Sequence, residues 1–326
     1  MDLDALYQKC IQCPRKCGVN RGVPELVKGP RTGFCRESSD LRLAFAGLHF
    51  GEEPLITVFG GSGTIFFTGC TLRCAFCQNY QISQDGLGRV VDASEFVDIC
   101  LKLQAAGAEN INLVTGSHHI PVIAEYLRAA RDGGVTLPFC WNSSAYESVE
   151  MLELLKGLVT IWLPDLKTLD GELSRGLFAA PDYPTSATAA IRWMIENNPL
   201  EIVTVSKNNE AREKMMSGVI IRHLFMPGKF EQTADVLAWL KENADGRAII
   251  SLMNQYTPIP AKKGKITQIE DRLVTPEEDS DIQDLIEAYD FEYLFYQELS
   301  DDTSWLPDFT RAQPFSNKLA TPVWHC

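Results

Sequence analysis

The stretch Thr64-Ile-Phe-Phe-Thr-Gly-Cys-Thr-Leu-Arg-Cys-Ala-Phe-Cys-Gln78 joins a short apolar run to three closely spaced cysteines. The apolar run is typical of a buried strand. Cys70, Cys74 and Cys77 follow it with C-x3-C-x2-C spacing. Three thiolates on one loop can hold three corners of a four-iron cluster and leave the fourth iron without a protein ligand. We therefore expect this loop to be a chemical site at the end of a strand.

From residue 64 onward, strand-like and helix-like segments alternate along the chain. Such units predict a parallel sheet covered by helices. About six of them fit a partial barrel, (β/α)6, better than the full eight-stranded barrel. In this architecture the chemistry collects in the loops after the strands. The small and polar segments that follow predicted strands are the cysteine loop, Thr115 to Ser117, Asn142 to Ser144, Asp165 to Lys167, and Gln255-Tyr256.

Local signals also predict where several elements begin and end. Capping-box patterns starting at Asp92 and Thr275 each predict the first turn of a helix, and Thr233 is predicted to cap another helix. The run Gly60 to Gly63 comes before a strand rather than after one, so it indicates a turn and not a phosphate loop. The tail, residues 301–326, is predicted to be irregular because its prolines and acidic pair show no periodicity.

A second cysteine set lies near the start of the chain. Cys10, Cys13, Cys17 and Cys35 fall in a segment rich in glycine and proline that cannot build its own core. Clustered thiols of this kind predict a metal site, and the spacing leaves zinc and a second Fe–S cluster both open. The predicted organisation is a Cys-rich metal-binding segment (1–40), a barrel (41–300) and the tail (301–326).

Composition excludes several classes of protein. The chain has 326 residues and a net charge of -13 with no basic run, which argues against binding to nucleic acid or anionic membranes. No apolar run reaches the roughly 18 residues of a membrane span, and the first residues lack the features of a signal peptide. We therefore expect a cytoplasmic protein.

Other cysteines and the histidines receive structural assignments. Cys100 and Cys140 lie on apolar-patterned elements and are predicted to be core thiols. His118, His119 and His223 are predicted to be packed within the fold rather than to face a cavity.

The cysteine loop, with the aromatic Phe76 before its last cysteine, resembles the radical S-adenosylmethionine superfamily. Further runs resemble the homologue group of the pyruvate formate-lyase activating enzyme. These runs are Cys13-Pro-Arg-Lys-Cys-Gly-Val-Asn-Arg21, Gly63-Thr-Ile-Phe-Phe-Thr-Gly-Cys70, Trp162-Leu-Pro-Asp-Leu-Lys167, Ala180-Pro-Asp-Tyr183, Arg222-His-Leu-Phe-Met-Pro-Gly228 and Leu252-Met-Asn-Gln-Tyr256. The resemblance implies a (β/α)6 barrel and an oxidoreductase. Such an enzyme reductively cleaves S-adenosylmethionine to a 5′-deoxyadenosyl radical, which then abstracts hydrogen.

The resemblance also implies roles for individual residues. Cys70, Cys74 and Cys77 would ligate a [4Fe–4S] cluster, and Phe76 would lie against the adenine. Thr115 and Gly116 correspond to a glycine-rich motif that meets the methionyl amino group, although Ser117 stands where the motif usually has Glu. Asn142 and Ser143 would touch the ribose or the carboxylate of the cofactor. Asp165 and Lys167 would lie near the same two groups, although Asp165 fits a helix cap as well. Partners implied are a reductant such as flavodoxin or ferredoxin and a protein substrate.

Three functional hypotheses follow. The first is activation of a glycyl-radical partner enzyme, with hydrogen taken from a backbone glycine. The second keeps the same radical chemistry with a small molecule or another peptide as substrate. The third belongs to a different class, a non-enzymatic interaction module with zinc at both cysteine sets. Iron content separates the third hypothesis from the other two, because zinc proteins carry none.

Overall fold

The computed structural model describes residues 3–22, 33–259, 264–300 and 305–326, with side chains from residue 5 onward. The strands of these residues are β1 Arg42–His49, β2 Gly61–Phe67, β3 Arg89–Val90, β4 Ala108–Val114, β5 Phe139–Ser143, β6 Val159–Pro164, β7 Glu201–Lys207, β8 Glu210–Leu224, β9 Ile249–Met253, β10 Leu294–Gln297 and β11 Ala320–His325. The helices are α1 Leu3–Gln8, α2 Tyr80–Ser83, α3 Ala93–Ala105, α4 Ile120–Asp132, α5 Val149–Leu152, α6 Gly171–Phe178, α7 Tyr183–Asn197, α8 Phe230–Asn243 and α9 Pro276–Tyr289.

A run of parallel strands forms the body of the sheet. Its order is β10-β9-β8-β6-β5-β4-β2, and every neighbouring pair in it is parallel. Helices α3 to α9 occupy the connections between these strands. Because each connection returns the chain to the same end of the sheet, the loops after the strands gather at one edge. The predicted α/β class and partial (β/α)6-type barrel are therefore confirmed, with seven parallel strands where about six were predicted.

Antiparallel strands extend the sheet beyond β2. Strand β1 pairs antiparallel with β2, and β11 pairs with the other side of β1. The prediction that the tail is irregular is therefore wrong for Ala320–His325. The strand gave a weak signal because it lies at the sheet edge, is largely exposed and contains Pro322, a residue that edge strands tolerate.

The glycine run before the cysteine loop is part of a strand rather than a turn. Strand β2 begins at Gly61 and is buried throughout. A Cβ at Gly61 would lie 2.9 Å from the ring of Phe50, and one at Gly63 would lie 2.7 Å from the carbonyl oxygen of Asn110. The glycines are thus needed because the chain on either side of β2 approaches its backbone closely.

Two further elements differ from prediction. Strands β7 and β8 form a long antiparallel hairpin, and residues 210–217 of it were not predicted. Its turn has positive φ at both Asn208 (51°) and Asn209 (64°), the conformation that matches the twist of a hairpin. Helix α8 begins at Phe230, so Thr233 does not cap it. The Thr233 hydroxyl instead lies 2.9 Å from His223 Nε2.

One end of the barrel is filled by apolar side chains. Ile56, from the segment before β2, packs with residues of four parallel strands and with Met215. Its partners on those strands are Cys140, Ile161, Leu163, Ile220 and Ile249. The segment before β2 is therefore held against β5, β6, β8 and β9 by apolar contacts. Cys140 here and Cys100 in the larger core are fully buried, which confirms them as core thiols.

No helix within the described ranges combines the length and the apolar character needed to cross a membrane.

Candidate functional site

The three cysteines of the predicted site lie on the loop that follows β2. Gly69, with φ of 82°, turns the chain out of the strand. The sulfur of Cys70 accepts hydrogen bonds from the backbone N–H groups of Leu72 (3.3 Å) and Arg73 (3.4 Å). Cys70 and Cys74 are buried, and Cys77 is half-buried. The structure therefore presents all three thiols on one short loop at the carboxyl end of a central strand.

The protonation of these thiols depends on their neighbours. Burial raises the pKa of Cys74 well above its ordinary value, Cys70 and Cys77 raise it further, and Lys167 lowers it. Burial likewise raises the pKa of Cys77 to about 11, while a contact with the Ser83 hydroxyl lowers it. Three neighbouring thiols, two of them buried and one half-buried, cannot all ionise without a positive partner. The donor set therefore suits a group that brings cationic iron to all three sulfur atoms.

A network of polar side chains lies beside the cysteine loop. Arg222, on β8, donates to Asp165 Oδ1 at 2.9 Å and to Asn142 Oδ1 at 2.6 Å. Lys167 Nζ donates to the other oxygen of Asp165 at 2.8 Å. The structure thus brings together Asn142, Asp165 and Lys167, three of the predicted cofactor residues. Asp165 is not a helix cap, because Asp170 caps α6.

Charge holds this network in its ionised form. Burial raises the pKa of Asp165, but Arg222 and Lys167 more than offset this and hold that pKa below its ordinary value. Burial lowers the pKa of Lys167, but Asp165 and Cys74 raise it above its ordinary value. The Lys167 ammonium therefore connects the carboxylate network to the thiol loop.

Sequence reasoning missed three charged residues of this site. Arg222 is the centre of the network, and Glu53 lies 3.9 Å from it. Glu52 accepts a hydrogen bond from Asn112 Nδ2 at 2.9 Å. A single charge inside the apolar run of β8 was a usable signal for Arg222. Nothing in the sequence indicates that the segment before β2 carries two glutamates into the barrel.

Aromatic side chains form a wall next to the thiols. Phe76 is 8% exposed, and its ring centroid lies 6.1 Å from that of Phe178 and 6.2 Å from that of Tyr256. Tyr183 connects this wall to the network, because its hydroxyl donates to the Asp165 carbonyl (2.7 Å) and accepts from the Lys167 N–H (2.9 Å). Phe76 is therefore positioned as an apolar surface rather than an exposed side chain.

The loops after β4 and β5 are tightly constrained. Thr115 has a positive φ of 64°, and a Cβ at Gly116 would lie 2.7 Å from the Trp141 ring. The Ser117 hydroxyl donates to Glu147, another buried residue that sequence reasoning missed. Ser143 is buried, and its hydroxyl accepts from the Ala145 N–H at 3.1 Å. Thr115 and Gly116 thus lie in the loop after β4, where the Thr115 N–H donates to the Asn142 carbonyl at 2.9 Å, and Ser143 follows Asn142 as the last residue of β5.

The histidines are packed within the fold, as predicted. His118 Nε2 lies 2.7 Å from the Thr68 carbonyl oxygen, and His119 Nδ1 lies 3.2 Å from the Tyr7 hydroxyl. Burial lowers the pKa of His118 to about 3, so the ring is neutral and donates to that carbonyl. His223 lies between the Leu166 carbonyl and Thr233.

The structure also gathers the four cysteines of the first segment. Burial raises the pKa of Cys13 to about 12, and the thiols of Cys35, Cys10 and Cys17 raise it as well. The Phe34 N–H donates to Cys17 Sγ at 3.5 Å. In the part of the chain that the structure describes, no three His, Cys, Asp or Glu side chains converge around one point as they would around a single ion. Residues 23–32 of this segment lie outside the described residues.

Comparison with known proteins gives a family match. The model of the Radical SAM superfamily matches residues 64–240. A protein of Methanocaldococcus jannaschii that carries the description uncharacterized protein MJ0674 is 30% identical over 299 residues, which cover 89% of this chain and 78% of that one.

Several solved structures are similar in fold. SuiB of Streptococcus suis, solved with S-adenosylmethionine bound, aligns with a TM-score of 0.49 and 14% identity over 70% of this chain. The alignment spans 48% of SuiB, about half of its length. Methylornithine synthase (PylB) aligns with a TM-score of 0.47 and 14% identity over 72% of this chain and 70% of that enzyme. A domain of pyruvate-formate lyase-activating enzyme from Bacteroides vulgatus aligns with a TM-score of 0.37 and 13% identity over 55% of this chain and 92% of that domain.

Proposed function

Because this chain belongs to the radical SAM superfamily, an enzyme superfamily that uses a [4Fe–4S] cluster and S-adenosylmethionine, we propose that it cleaves S-adenosylmethionine reductively to abstract hydrogen from a substrate. The observation that carries this proposal is the set of three thiols on the loop after β2, with the Lys167 ammonium beside them. When bound, the cluster and its cofactor supply the one-electron cleavage of a C–S bond.

We assign the cluster to Cys70, Cys74 and Cys77. The N–H groups of Leu72 and Arg73 already point at the Cys70 sulfur, and hydrogen bonds to the sulfurs are one of the means by which proteins tune such clusters. The Lys167 ammonium offsets negative charge at Cys74. These residues hold and tune the cluster without taking part in bond cleavage.

We assign the cofactor to the strand-end loops next to the cluster. Phe76 offers an apolar face for the adenine, and Thr115 and Gly116 offer backbone groups for the methionyl amino group. The polar groups for the ribose and carboxylate come from Asn142, Ser143, Asp165 and Lys167. Support for this assignment is that Arg222 fixes Asn142 and Asp165 by direct hydrogen bonds, so a ligand would meet groups that are already oriented.

The aromatic wall has a protective role in this proposal. Phe76, Phe178 and Tyr256 are buried against one another, so they keep water from the side of the cysteine loop on which they lie. Exclusion of water is what a reactive radical needs, because it prevents side reactions.

A backbone glycine of a partner protein is our first hypothesis for the hydrogen donor. Its support is the resemblance of several sequence runs to activating enzymes. A small molecule or another peptide would use the same cluster and cofactor residues. A reductant such as flavodoxin or ferredoxin and a cytoplasmic location stay predictions of the sequence.

The main test compares wild type with Cys74→Ser after anaerobic reconstitution with iron and sulfide. Wild type is expected to hold iron and to release 5′-deoxyadenosine from S-adenosylmethionine under dithionite, whereas product release by Cys74→Ser falls to background and its iron content drops by about four irons per chain. Cys100→Ala is the matched control, because Cys100 is a buried core thiol on α3 rather than on the cysteine loop. It should retain both iron and product. Equal product from wild type and Cys74→Ser would contradict the proposal, and bound zinc without iron would favour a non-enzymatic module.

The hydrogen donor is tested separately by deuterium transfer. Peptides containing deuterated glycine are expected to pass deuterium to 5′-deoxyadenosine if a protein backbone is the substrate. Product that gains deuterium from a deuterated metabolite mixture, but not from peptides, would contradict the glycine hypothesis and leave S-adenosylmethionine cleavage intact.

A further inference from the structure

We infer that Cys10, Cys13, Cys17 and Cys35 bind a thiolate-ligated metal centre that pins the first segment of the chain as a cap over the cysteine loop. The name N-terminal cap refers below to residues 5–22 and 33–40. The metal site itself does not depend on the proposed function. Its effect on the binding of S-adenosylmethionine does rest on that function.

The N-terminal cap brings its four cysteines near one another and has little regular structure of its own. Its regular structure among the described residues is α1, which has six residues. Hydrogen bonds between Cys10 N–H and Val19 O and between Gly18 N–H and Cys10 O, both 2.9 Å, close a tight loop around the first three cysteines. The Phe34 N–H bond to Cys17 Sγ brings the chain beside Cys35 to the same place. A segment with so little core requires another source of stability, and thiolate-bound metal is the usual one.

A buried cation gives independent support. Arg21 is 3% exposed, and its guanidinium donates to the Cys10 sulfur at 3.6 Å. Its other hydrogen-bond partners among the described residues are three carbonyl oxygens and His119 Nε2, and none is a carboxylate. Burial of a charge is costly unless an opposite charge lies close by. A metal held by four thiolates carries net negative charge and would supply the counter-charge that Arg21 lacks.

The N-terminal cap contacts the cysteine loop directly. Arg15 donates to the Thr71 carbonyl at 2.9 Å and to the Phe178 carbonyl at 2.6 Å. Two residues before Thr71, a Cβ at Gly69 would lie 3.0 Å from the Cys35 carbonyl oxygen. The start of the loop that carries Cys70 and Cys74, from Gly69 to Thr71, therefore lies against the cap.

The N-terminal cap also contacts the loop after β4. Arg21 donates to the His118 carbonyl at 2.7 Å, and the Tyr7 hydroxyl lies 3.2 Å from His119. These histidines directly follow Thr115, Gly116 and Ser117. A metal that orders the cap would therefore also hold a loop assigned to the cofactor.

The first test is the metal content of Cys17→Ser against Cys326→Ser. Both thiols are exposed, so neither substitution disturbs buried packing. Cys17→Ser is expected to lose either one zinc or about four irons relative to wild type, while Cys326→Ser matches wild type. Either loss supports the site and identifies its metal. Full retention of wild-type metal by Cys17→Ser would overturn it.

The second test measures the cap and its effect on the binding site. In Cys17→Ser we expect protease cleavage within the N-terminal cap to accelerate. We expect the affinity for S-adenosylmethionine to fall about tenfold, the lower bound of the losses in metal affinity or activity that follow removal of groups behind a metal site. Equilibrium dialysis on the reconstituted protein measures the affinity. Metal loss that leaves both the protease cleavage rate and the affinity for S-adenosylmethionine at wild-type values would overturn the inference that the cap holds the loops of the binding site in place.

Arg15→Gln tests whether the cap holds the cysteine loop in place, and it changes none of the cysteines. It removes the bonds to Thr71 and Phe178 and keeps all four cysteines, so we expect wild-type metal content with weaker binding of S-adenosylmethionine. Unchanged affinity for S-adenosylmethionine would again overturn the inference that the cap holds the cysteine loop in place.

A chain that holds metal at the four N-terminal cysteines but releases no 5′-deoxyadenosine would contradict the proposed function and leave the inferred metal site intact. Failure of the proposed function can therefore be distinguished from failure of this inference.

Discussion

Cys70, Cys74 and Cys77 follow a strand that is buried along its whole length, whereas Cys10, Cys13, Cys17 and Cys35 lie in a segment whose described part forms one helix of six residues. Strand β2 is held between β1 and β4, so the sheet fixes where its loop begins. The other set is held by a few loop hydrogen bonds and by contacts with the barrel. One set of cysteine thiols is therefore positioned by a buried strand, and the other by loop hydrogen bonds and contacts with the barrel.

The two cysteine sets therefore owe their positions to different interactions. The loop after β2 inherits its position from apolar burial that exists before any metal binds. The N-terminal cap has little apolar surface to bury, so its order depends on contacts to the barrel and on the inferred metal. Damage to the barrel should reach both cysteine sets, whereas damage to the cap should leave the sheet folded and affect only the loops that the cap contacts.

The largest expected effect is on the barrel side. Arg222→Met removes the cation that bonds Asp165 and Asn142, and it leaves buried polar groups without their partner. Removal of one partner from a buried ion pair costs about 3–5 kcal/mol of unfolding free energy. Urea unfolding should show this loss as a lower midpoint with an unchanged slope.

Arg175→Met is the control for that loss. Arg175 pairs with Glu172 on the surface, where the two side chains are 61% and 82% exposed. Such pairs contribute about 0–1 kcal/mol, so little change is expected. Equal losses in both variants would mean that the network does not support the barrel.

A smaller effect is expected where the two cysteine sets meet. Gly69→Ala places a methyl group against Glu37 Cγ and near the Cys35 carbonyl, at a φ of 82°. Backbone strain costs about 1–2 kcal/mol, and the crowding adds about 1–3 kcal/mol. Gly157→Ala has a similar φ of 74° with nothing within 4 Å, so it should show the strain alone.

Metal content sharpens the same comparison. The methyl group of Gly69→Ala clashes with Glu37 and the Cys35 carbonyl of the N-terminal cap. We therefore expect this variant to retain less metal at Cys10, Cys13, Cys17 and Cys35, whereas Gly157→Ala should retain the wild-type amount. Equal unfolding free energies and equal metal contents in Gly69→Ala and Gly157→Ala would show that packing at Gly69 does not couple the cysteine loop to the N-terminal cap.

The sequence predicted those parts of the molecule that depend on local pattern. Cys70, Cys74 and Cys77, the alternation of strands and helices, and the polar segments at strand ends are all readable from adjacent residues. The structure confirms the fold that they predict and places Asn142, Asp165 and Lys167 in one network.

The parts that were missed depend on contacts between distant residues. Arg222 bonds a residue 80 positions away, and Glu53 reaches it from a segment that precedes the parallel strands. Strand β11 forms because β1 offers an open edge, not because its own sequence has strand periodicity. Such features follow from the assembled sheet, and no local pattern contains them.

The smallest expected effect concerns the charge inside the barrel and depends on pH. Burial raises the pKa of Glu53 from 4.5 to about 7, although Arg222 lowers it. Between these values the unfolded chain releases the proton while the folded chain keeps it, so stability falls as pH rises through this window. Glu53→Gln removes this loss. Arg222 keeps its closer bond to Asp165 at 2.9 Å, so the variant should not leave the cation unpaired.

We therefore expect Glu53→Gln to match wild type near pH 4.5 and to be more stable above pH 7, by about 1–3 kcal/mol, because each pKa unit corresponds to about 1.4 kcal/mol. Urea midpoints at pH 5 and pH 8, at constant ionic strength, measure the difference. Glu172→Gln, at an exposed position, is the control and should show no such pH dependence. A Glu53→Gln midpoint that follows wild type at both pH values would mean that the sheet does not bear a buried charge there. The barrel side would then differ from the N-terminal cap in its apolar burial alone.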